Sequence, residues 1–99
     1  ITGGGLSENI PRVLKPQQGV LINLENLALP ELFQWLAQQG GLSQAEMLKT
    51  FNCGIGMVLV VAPEAQAQII ALLSEMGEGV IELGRVTDHP GVQYQGTLL

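Results

Sequence analysis

The chain has 99 residues and a formal net charge of −5, and 46% of its residues are hydrophobic while only 13% are charged. This length fits a single domain, residues 1–99, with a core of its own. The four cations are spread along the chain and cannot form the basic stripe that nucleic-acid phosphates require; they are Arg12, Lys15, Lys49 and Arg85. No apolar run approaches the roughly 18 residues of a membrane span. We therefore expect neither nucleic acid nor a membrane as a partner.

The composition also bears on the setting in which the chain works. A single cysteine, Cys53, cannot form an internal disulfide, which favours a reducing, cytoplasmic environment. High hydrophobic content with few charges indicates that some apolar surface meets another domain or a subunit. The start at Ile1, in what reads as the end of a strand, leads us to expect that these residues were cut from a longer chain.

A run of three glycines, Gly3, Gly4 and Gly5, follows this first strand. A glycine backbone can turn its N–H groups towards an anion, with φ values closed to other residues. Ser7 is the candidate N-cap of a helix with Glu8 in its first turn, and a helix N-terminus would favour the same anion. The run lacks the lysine and hydroxyl residue of a P-loop and the spacing of a dinucleotide fingerprint. A plain tight turn or close backbone packing therefore stays open as the alternative.

Arg12 lies on the segment just after the glycines and is one of only four cations. Its guanidinium can bond a phosphate or a carboxylate through two parallel N–H groups. The alternative is a surface ion pair with Glu8, four residues earlier, which would contribute little to stability.

One strand and two helices are predicted in the next part of the chain. Residues 20–24 read as a short buried strand after the turn at residues 15–19. Pro30 suits the first position of a helix that stops at Gly40 and Gly41. The inner face of this helix comprises Leu32, Phe33, Leu36 and Ala37. Ser43 and Glu46 form a capping-box pattern that opens a second helix. The inner face of the second helix comprises Met47, Leu48 and Phe51.

The last third of the chain predicts three strands and the longest helix. Residues 57–62 form an apolar run short enough for a central strand. Pro63 opens a helix that Gly77 ends. The apolar face of this helix, which we expect to be buried on the sheet, comprises Ala65, Ile69, Leu72, Leu73 and Met76. Residues 80–86 and 92–95 read as two strands joined through residues 88–91. The order β-α-β-α-α-β-α-β-β predicts an α+β fold with helices packed on a mixed sheet.

A second glycine site, Gly54-Ile55-Gly56, precedes a strand, whereas a dinucleotide fingerprint would follow one. A bend that brings two backbones close together is the simpler interpretation. Asn52 beside it can bond a ligand or cap the loop. Cys53 is interpreted as a buried, inert thiol, because a nucleophile needs a nearby base and the only histidine is His89, in a distant turn. One histidine and one cysteine cannot build a zinc site, so we expect no metal cluster.

Three long, unbroken motifs carry a resemblance to a known family. They are ITGGGLxENIPRVL at residues 1–14, PxxFxWL at residues 30–36 and EMxxTFNCGIGM at residues 46–57, where x marks a position outside the match. With these motifs the chain resembles the C-terminal domain of phosphoribosylformylglycinamidine cyclo-ligases, also called aminoimidazole ribonucleotide synthetases. The resemblance runs from the first residue to about Gly84, and the last fifteen residues support it little.

The resemblance implies an enzyme of de novo purine synthesis. Such an enzyme uses ATP to activate the formyl amide oxygen of formylglycinamidine ribonucleotide, and ring closure then gives aminoimidazole ribonucleotide, ADP and phosphate. It further implies a partly ferredoxin-like arrangement, a homodimer, and an N-terminal domain, absent here, that supplies most ligands of ATP and Mg²⁺. The fragment alone is then expected to be inactive.

The resemblance and the glycine chemistry point to the same site residues. The substrate- or phosphate-binding residues expected in the cleft are Thr2, Gly3, Gly4, Gly5, Asn9, Arg12, Asn52 and Gly54. No catalytic base can be named, and backbone amides with an arginine are reasonable contributions to phosphoryl transfer. Two alternatives stay open: a binding or oligomerisation module in which the glycines are structural, and a related ATP-using synthetase or kinase.

Overall fold

The computed structural model describes all 99 residues, which form four α-helices, three strands and three short 3₁₀ segments. The helices are α1 (Gly5–Asn9), α2 (Glu31–Gly40), α3 (Gln44–Thr50) and α4 (Gln66–Glu75). The strands are β1 (Gly19–Asn23), β2 (Gly84–Thr87) and β3 (Gly91–Gln95). The 3₁₀ segments are Ile10–Val13, Leu24–Asn26 and Pro63–Ala65. No helix combines the length and the apolar character needed to cross a membrane.

The three strands form one mixed sheet in the order β2-β1-β3. β1 is antiparallel to β2 and parallel to β3, so the predicted α+β class with a mixed sheet is confirmed. β2 and β3 are consecutive in the chain but do not pair with each other, because β1 lies between them. Their connection crosses the start of β1, where Gly19 pairs with Thr87 on one side and Gly91 on the other.

The hydrophobic core lies between this sheet and the first three helices. Ile22 on β1 and Met47 on α3 are fully buried, and Leu48 on α3 is 1% exposed. Phe33 of α2 packs edge-to-face on Phe51 at the end of α3, with ring centroids 5.7 Å apart. Aromatic pairs of this geometry stabilise the fold beyond the gain from burying the two rings. The inner face predicted for α3 is therefore confirmed, and a strand is present where residues 20–24 predicted one, whereas Leu32, predicted on the inner face of α2, is 62% exposed.

The capping box predicted at the start of α3 is present in full. The Ser43 side chain accepts a hydrogen bond from the Glu46 amide at 3.2 Å, and the Glu46 carboxylate accepts one from the Ser43 amide at 2.7 Å. These bonds satisfy two N–H groups that a helix start leaves without partners. They also hold the pKa of Glu46 below its usual range, chiefly through the bond from the Ser43 amide.

Replacing Ser43 with alanine should lower the free energy of unfolding by about 1 kcal/mol, the usual cost of losing such a cap. Because the pKa of Glu46 is depressed in the folded state, its contribution is present above the unfolded pKa of about 4.3 and is lost as the pH falls. Urea unfolding at neutral and acidic pH measures both effects. Ser74→Ala, inside α4, is the matched control, and an equal loss in that variant would contradict the capping role.

Two predicted strands are absent. Ile1 is 95% exposed and belongs to no strand, although the neighbouring Thr2 amide donates to the Thr50 carbonyl at 2.8 Å. Residues 57–62 form no strand and pair with no strand, and Met57 is 81% exposed. The apolar run failed as a sign of a buried central strand, since Met57, Leu59 and Val60 are all exposed.

The helix predicted after Pro63 is present as the 3₁₀ turn followed by α4, with the left-handed Gly77 just beyond its end. The burial predicted for its apolar face is wrong, since no residue of α4 is buried. Leu72 is 56% exposed and Met76 is 70% exposed. The periodicity identified the helix correctly, but the strand that would give it a surface to cover is not in the sheet.

Candidate functional site

The glycine run forms a turn organised by Thr2. The Thr2 carbonyl accepts a hydrogen bond from the Gly4 amide at 3.0 Å, and the Thr2 hydroxyl accepts one from the Gly5 amide at 2.6 Å. Two of the three glycine amides are therefore engaged within the turn. The Gly3 amide donates to no group of the chain, and a Cβ built on Gly3 would have no heavy atom within 4 Å.

The helix after the turn begins earlier than predicted. α1 starts at Gly5 with the left-handed Gly4 as its N-cap, and Ser7 lies inside the helix rather than capping it. The Thr2 hydroxyl takes the role expected of Ser7 by accepting the Gly5 amide. The Ser7 hydroxyl is instead hydrogen-bonded to the Tyr94 hydroxyl at 2.7 Å, which ties α1 to β3.

Gly5 lies at a close approach between two helices. Its φ is +60°, and a Cβ there would stand 2.0 Å from the Leu48 carbonyl oxygen of α3. Gly4, with φ +112°, would bring a Cβ to 2.5 Å from the Glu8 side chain. The alternative interpretation, close backbone packing, therefore describes Gly5, while Gly3 is the glycine with open space around it.

A groove of about 290 Å³ brings the glycine turn and the Asn52 loop together. Four of the predicted site residues line it, namely Thr2, Gly5, Asn9 and Asn52. Its other lining residues are Leu6, Ile10, Val13, Ile55, Gly56, Met57 and Val58. The groove is thus an apolar channel with three neutral polar side chains, two of them amides.

The two asparagines are held by bonds to their own loops. Asn9 donates through Nδ2 to the Gly5 carbonyl at 2.8 Å and to the Gly3 carbonyl at 3.4 Å. Asn52 accepts through Oδ1 from the Gly54 amide at 3.4 Å. Asn52 thus caps its loop, one of the two roles expected of it, and its Nδ2 donates to no group of the chain.

The remaining predicted site residues do not line the groove. Gly54 has φ +89° and would bring a Cβ to 2.9 Å from the ring of Pro30, so close packing accounts for it. Arg12 is exposed on the 3₁₀ segment after α1. The ion pair suggested between Arg12 and Glu8 is wrong, because Glu8 pairs with Lys49 at 3.7 Å on the surface.

Cys53 is buried, as predicted for an inert thiol. It is 1% exposed, and its Sγ lies 3.6 Å from the Met47 carbonyl oxygen, to which it donates. Burial raises the pKa of this thiol, because the thiolate would lose its hydration. His89 is exposed in the turn between β2 and β3. The two residues share no site.

The raised pKa of Cys53 predicts an alkaline loss of stability. The thiol's contribution is present below the unfolded pKa of about 8.5 and declines as the pH rises towards the higher folded value. Cys53→Ser keeps a donor for the Met47 carbonyl but does not ionise in this range. Denaturant unfolding between about pH 7 and 9.5 should therefore show a decline in the native chain and a flat profile in the variant. The same slope in both proteins would contradict the assignment.

The apolar lining of the groove is the part that sequence reasoning missed. Leu6, Ile10 and Val13 follow one another at helical spacing, which is a signal of a common face. Leu6 and Ile10 are buried in the core, whereas Val13 is 71% exposed, so residues of this one face contribute both to the core and to the groove wall. The bond between Ser7 and Tyr94 had no sequence signal, because 87 residues separate its partners.

Comparisons with known proteins place both segments of the groove within one family match. The family model described as "AIR synthase related protein, C-terminal domain" matches residues 1–96, which include the glycine turn and the Asn52 loop. The phosphoribosylformylglycinamidine cyclo-ligase of Chromobacterium violaceum is 50% identical to this chain over 95 residues. Those residues cover 96% of this chain but only 28% of that relative.

Proposed function

Because the chain belongs to the family of AIR synthase related protein C-terminal domains, we propose that it forms the substrate-cleft domain of an ATP-dependent cyclo-ligase. The proposed reaction converts formylglycinamidine ribonucleotide to aminoimidazole ribonucleotide in purine biosynthesis. The 50% identity to a phosphoribosylformylglycinamidine cyclo-ligase supports this choice of activity. The chain spans only 28% of that relative. ATP and Mg²⁺ are assigned chiefly to a separate N-terminal domain, as the family resemblance implies.

The observation that carries the proposal is the groove shared by two distant segments. Thr2 and Asn9 come from the glycine turn and α1, and Asn52 comes from a loop some forty residues later in the chain. The groove is concave and mostly apolar with few polar groups, which is the usual character of a small-molecule site. The Gly3 amide, free of any acceptor in the chain, is the backbone donor proposed for a phosphate.

Exposed apolar surface supports the proposed partners, an N-terminal domain and a second subunit. Met57, Leu72 and Met76 are each more than half exposed. Large apolar side chains left exposed in one domain are candidates for contact with another domain or subunit. The same observation favours the second candidate function, a non-catalytic binding or oligomerisation module, and the following experiment distinguishes the two.

The test replaces the matched segment of the Chromobacterium violaceum cyclo-ligase, 95 residues long, with this chain. The resulting chimeric protein is called the exchange enzyme. If the chain is a substrate-cleft domain, this exchange enzyme should form aminoimidazole ribonucleotide from formylglycinamidine ribonucleotide and ATP. A folded exchange enzyme without turnover would favour the non-catalytic module. Its fold is checked by a cooperative thermal unfolding transition.

Gly3→Val then tests the glycine turn. A Cβ at Gly3 meets nothing, so the variant should keep its stability while the added side chain blocks the approach of a ligand. We expect kcat/KM to fall at least about tenfold. Gly79→Val is the matched control, because Gly79 also has open space and lies far from the groove in the chain. Equal losses in both variants would contradict the role of the turn.

A further inference from the structure

The groove contains no charged side chain. Its polar side chains are Thr2, Asn9 and Asn52, and none of the chain's four cations is among its lining residues. A phosphate dianion inside an apolar groove would be desolvated without a compensating charge, which is costly. The groove therefore suits a neutral part of a ligand.

The orientation of both asparagine amides is fixed by their partners. Asn9 bonds two carbonyl oxygens, Gly5 and Gly3, and since carbonyls only accept, its Nδ2 must face them. Asn52 bonds the Gly54 N–H, and since an N–H only donates, its Oδ1 must face it. The atoms left without a partner in the chain are the Oδ1 of Asn9 and the Nδ2 of Asn52. Each of these two groove-lining residues therefore has one amide atom left for a ligand, an acceptor on Asn9 and a donor on Asn52.

We propose that this pair of asparagines binds the formyl amide of the substrate. This inference rests on the proposed function and assigns one end of the ligand to the groove. A secondary amide carries one N–H donor and one carbonyl acceptor, which complement the Asn9 oxygen and the Asn52 amide nitrogen. A protonated amidine offers only donors, and a phosphate at neutral pH offers mainly acceptors, so neither matches both groups.

The assignment also separates the two ends of the substrate. Gly3 is not among the groove-lining residues, although its neighbours in the turn, Thr2 and Gly5, are, and its amide donates to no group of the chain. The ribose phosphate then meets the glycine turn in solvent, while the formyl amide enters the apolar groove. The Asn52 donor would hold the formyl oxygen, the atom that the proposed reaction activates.

Asn52→Asp in the exchange enzyme tests the inference. The carboxylate keeps the cap on the Gly54 amide but replaces the free donor with a charged acceptor. The matched control is Asn23→Asp, since Asn23 caps the Glu25 amide two residues on in the same manner and is not in the groove. Two quantities are measured: the KM for formylglycinamidine ribonucleotide and the inhibition constant of the product, which keeps the ribose phosphate but has lost the formyl amide.

We expect Asn52→Asp to raise the KM for the substrate at least about tenfold while the inhibition constant of the product stays within about twofold. Asn23→Asp should change neither. If both constants rise together, the groove holds the phosphate end and the inference is overturned. If neither changes, Asn52 does not touch the ligand and the inference is likewise overturned. Loss of turnover in the exchange enzyme without any substitution would instead reject the proposed function itself.

Discussion

Replacing Gly5 with alanine should lower the free energy of unfolding by about 3 kcal/mol, because two costs add. The left-handed φ of +60° costs an L-residue about 1–2 kcal/mol. The new Cβ would stand 2.0 Å from the Leu48 carbonyl oxygen and 2.9 Å from the Lys49 carbonyl carbon, so α1 must move off α3. Overpacking of this kind costs about 1–3 kcal/mol more.

Urea unfolding of Gly5→Ala and Gly3→Ala measures this difference directly. The two glycines lie in the same turn, but Gly3 has open space and Gly5 faces backbone. Gly3→Ala should stay within about 0.5 kcal/mol of the native chain. Similar stabilities for the two variants would show that α1 does not pack on α3 as described.

The second large effect is expected at Gly19, the first residue of the central strand. A Cβ there would lie 1.8 Å from the His89 carbonyl oxygen and 2.5 Å from the Gly91 carbonyl oxygen. The His89 oxygen belongs to the connection between β2 and β3, which crosses over the start of β1, and the Gly91 oxygen belongs to the first residue of β3. To remove this overlap, the connection must move away from β1, which breaks strand pairing on one side of the sheet. We expect Gly19→Ala to cost about 3 kcal/mol.

Thermal unfolding checks the Gly19 prediction, with Gly79→Ala as the control at an open position. A cost of this size is a large fraction of the 5–15 kcal/mol typical of a small domain, so a clear fall in the unfolding midpoint is expected. Tolerance of Gly19→Ala would mean that residues 88–90 do not cross this strand.

Local signals in the sequence predicted local structure well. The capping box at Ser43 and Glu46, and the apolar periodicity after Pro63, gave two helices correctly. Each depends on neighbours within one or two turns. The family resemblance is confirmed as well, because it rested on three long motifs rather than on isolated glycines.

Pairing between distant segments was where the sequence misled. The run at residues 57–62 has the pattern of a central strand, yet it has no partner in the sheet, and Leu72 and Met76 on the apolar face predicted for the next helix are exposed. A hydrophobic pattern indicates that one face of an element is apolar, but it does not identify the element that packs against that face. The prediction of a partly ferredoxin-like arrangement stays a prediction.

The candidate site was predicted in part for the same reason. Thr2, Asn9 and Asn52 reach one groove, as expected from the motifs, whereas Gly54 is accounted for by its contact with Pro30. Glycine in a motif gives no indication of whether the space beside it holds a ligand or another backbone. Only the contacts around Gly3 and Gly5 separate those two cases.

The most direct test of a substrate cleft built from two loops is hydrogen–deuterium exchange of the exchange enzyme with and without formylglycinamidine ribonucleotide. We predict that the substrate slows exchange at residues 2–13 and 52–58, the two segments that line the groove, and leaves α4 unchanged. Slowed exchange confined to residues outside these two segments would contradict the account.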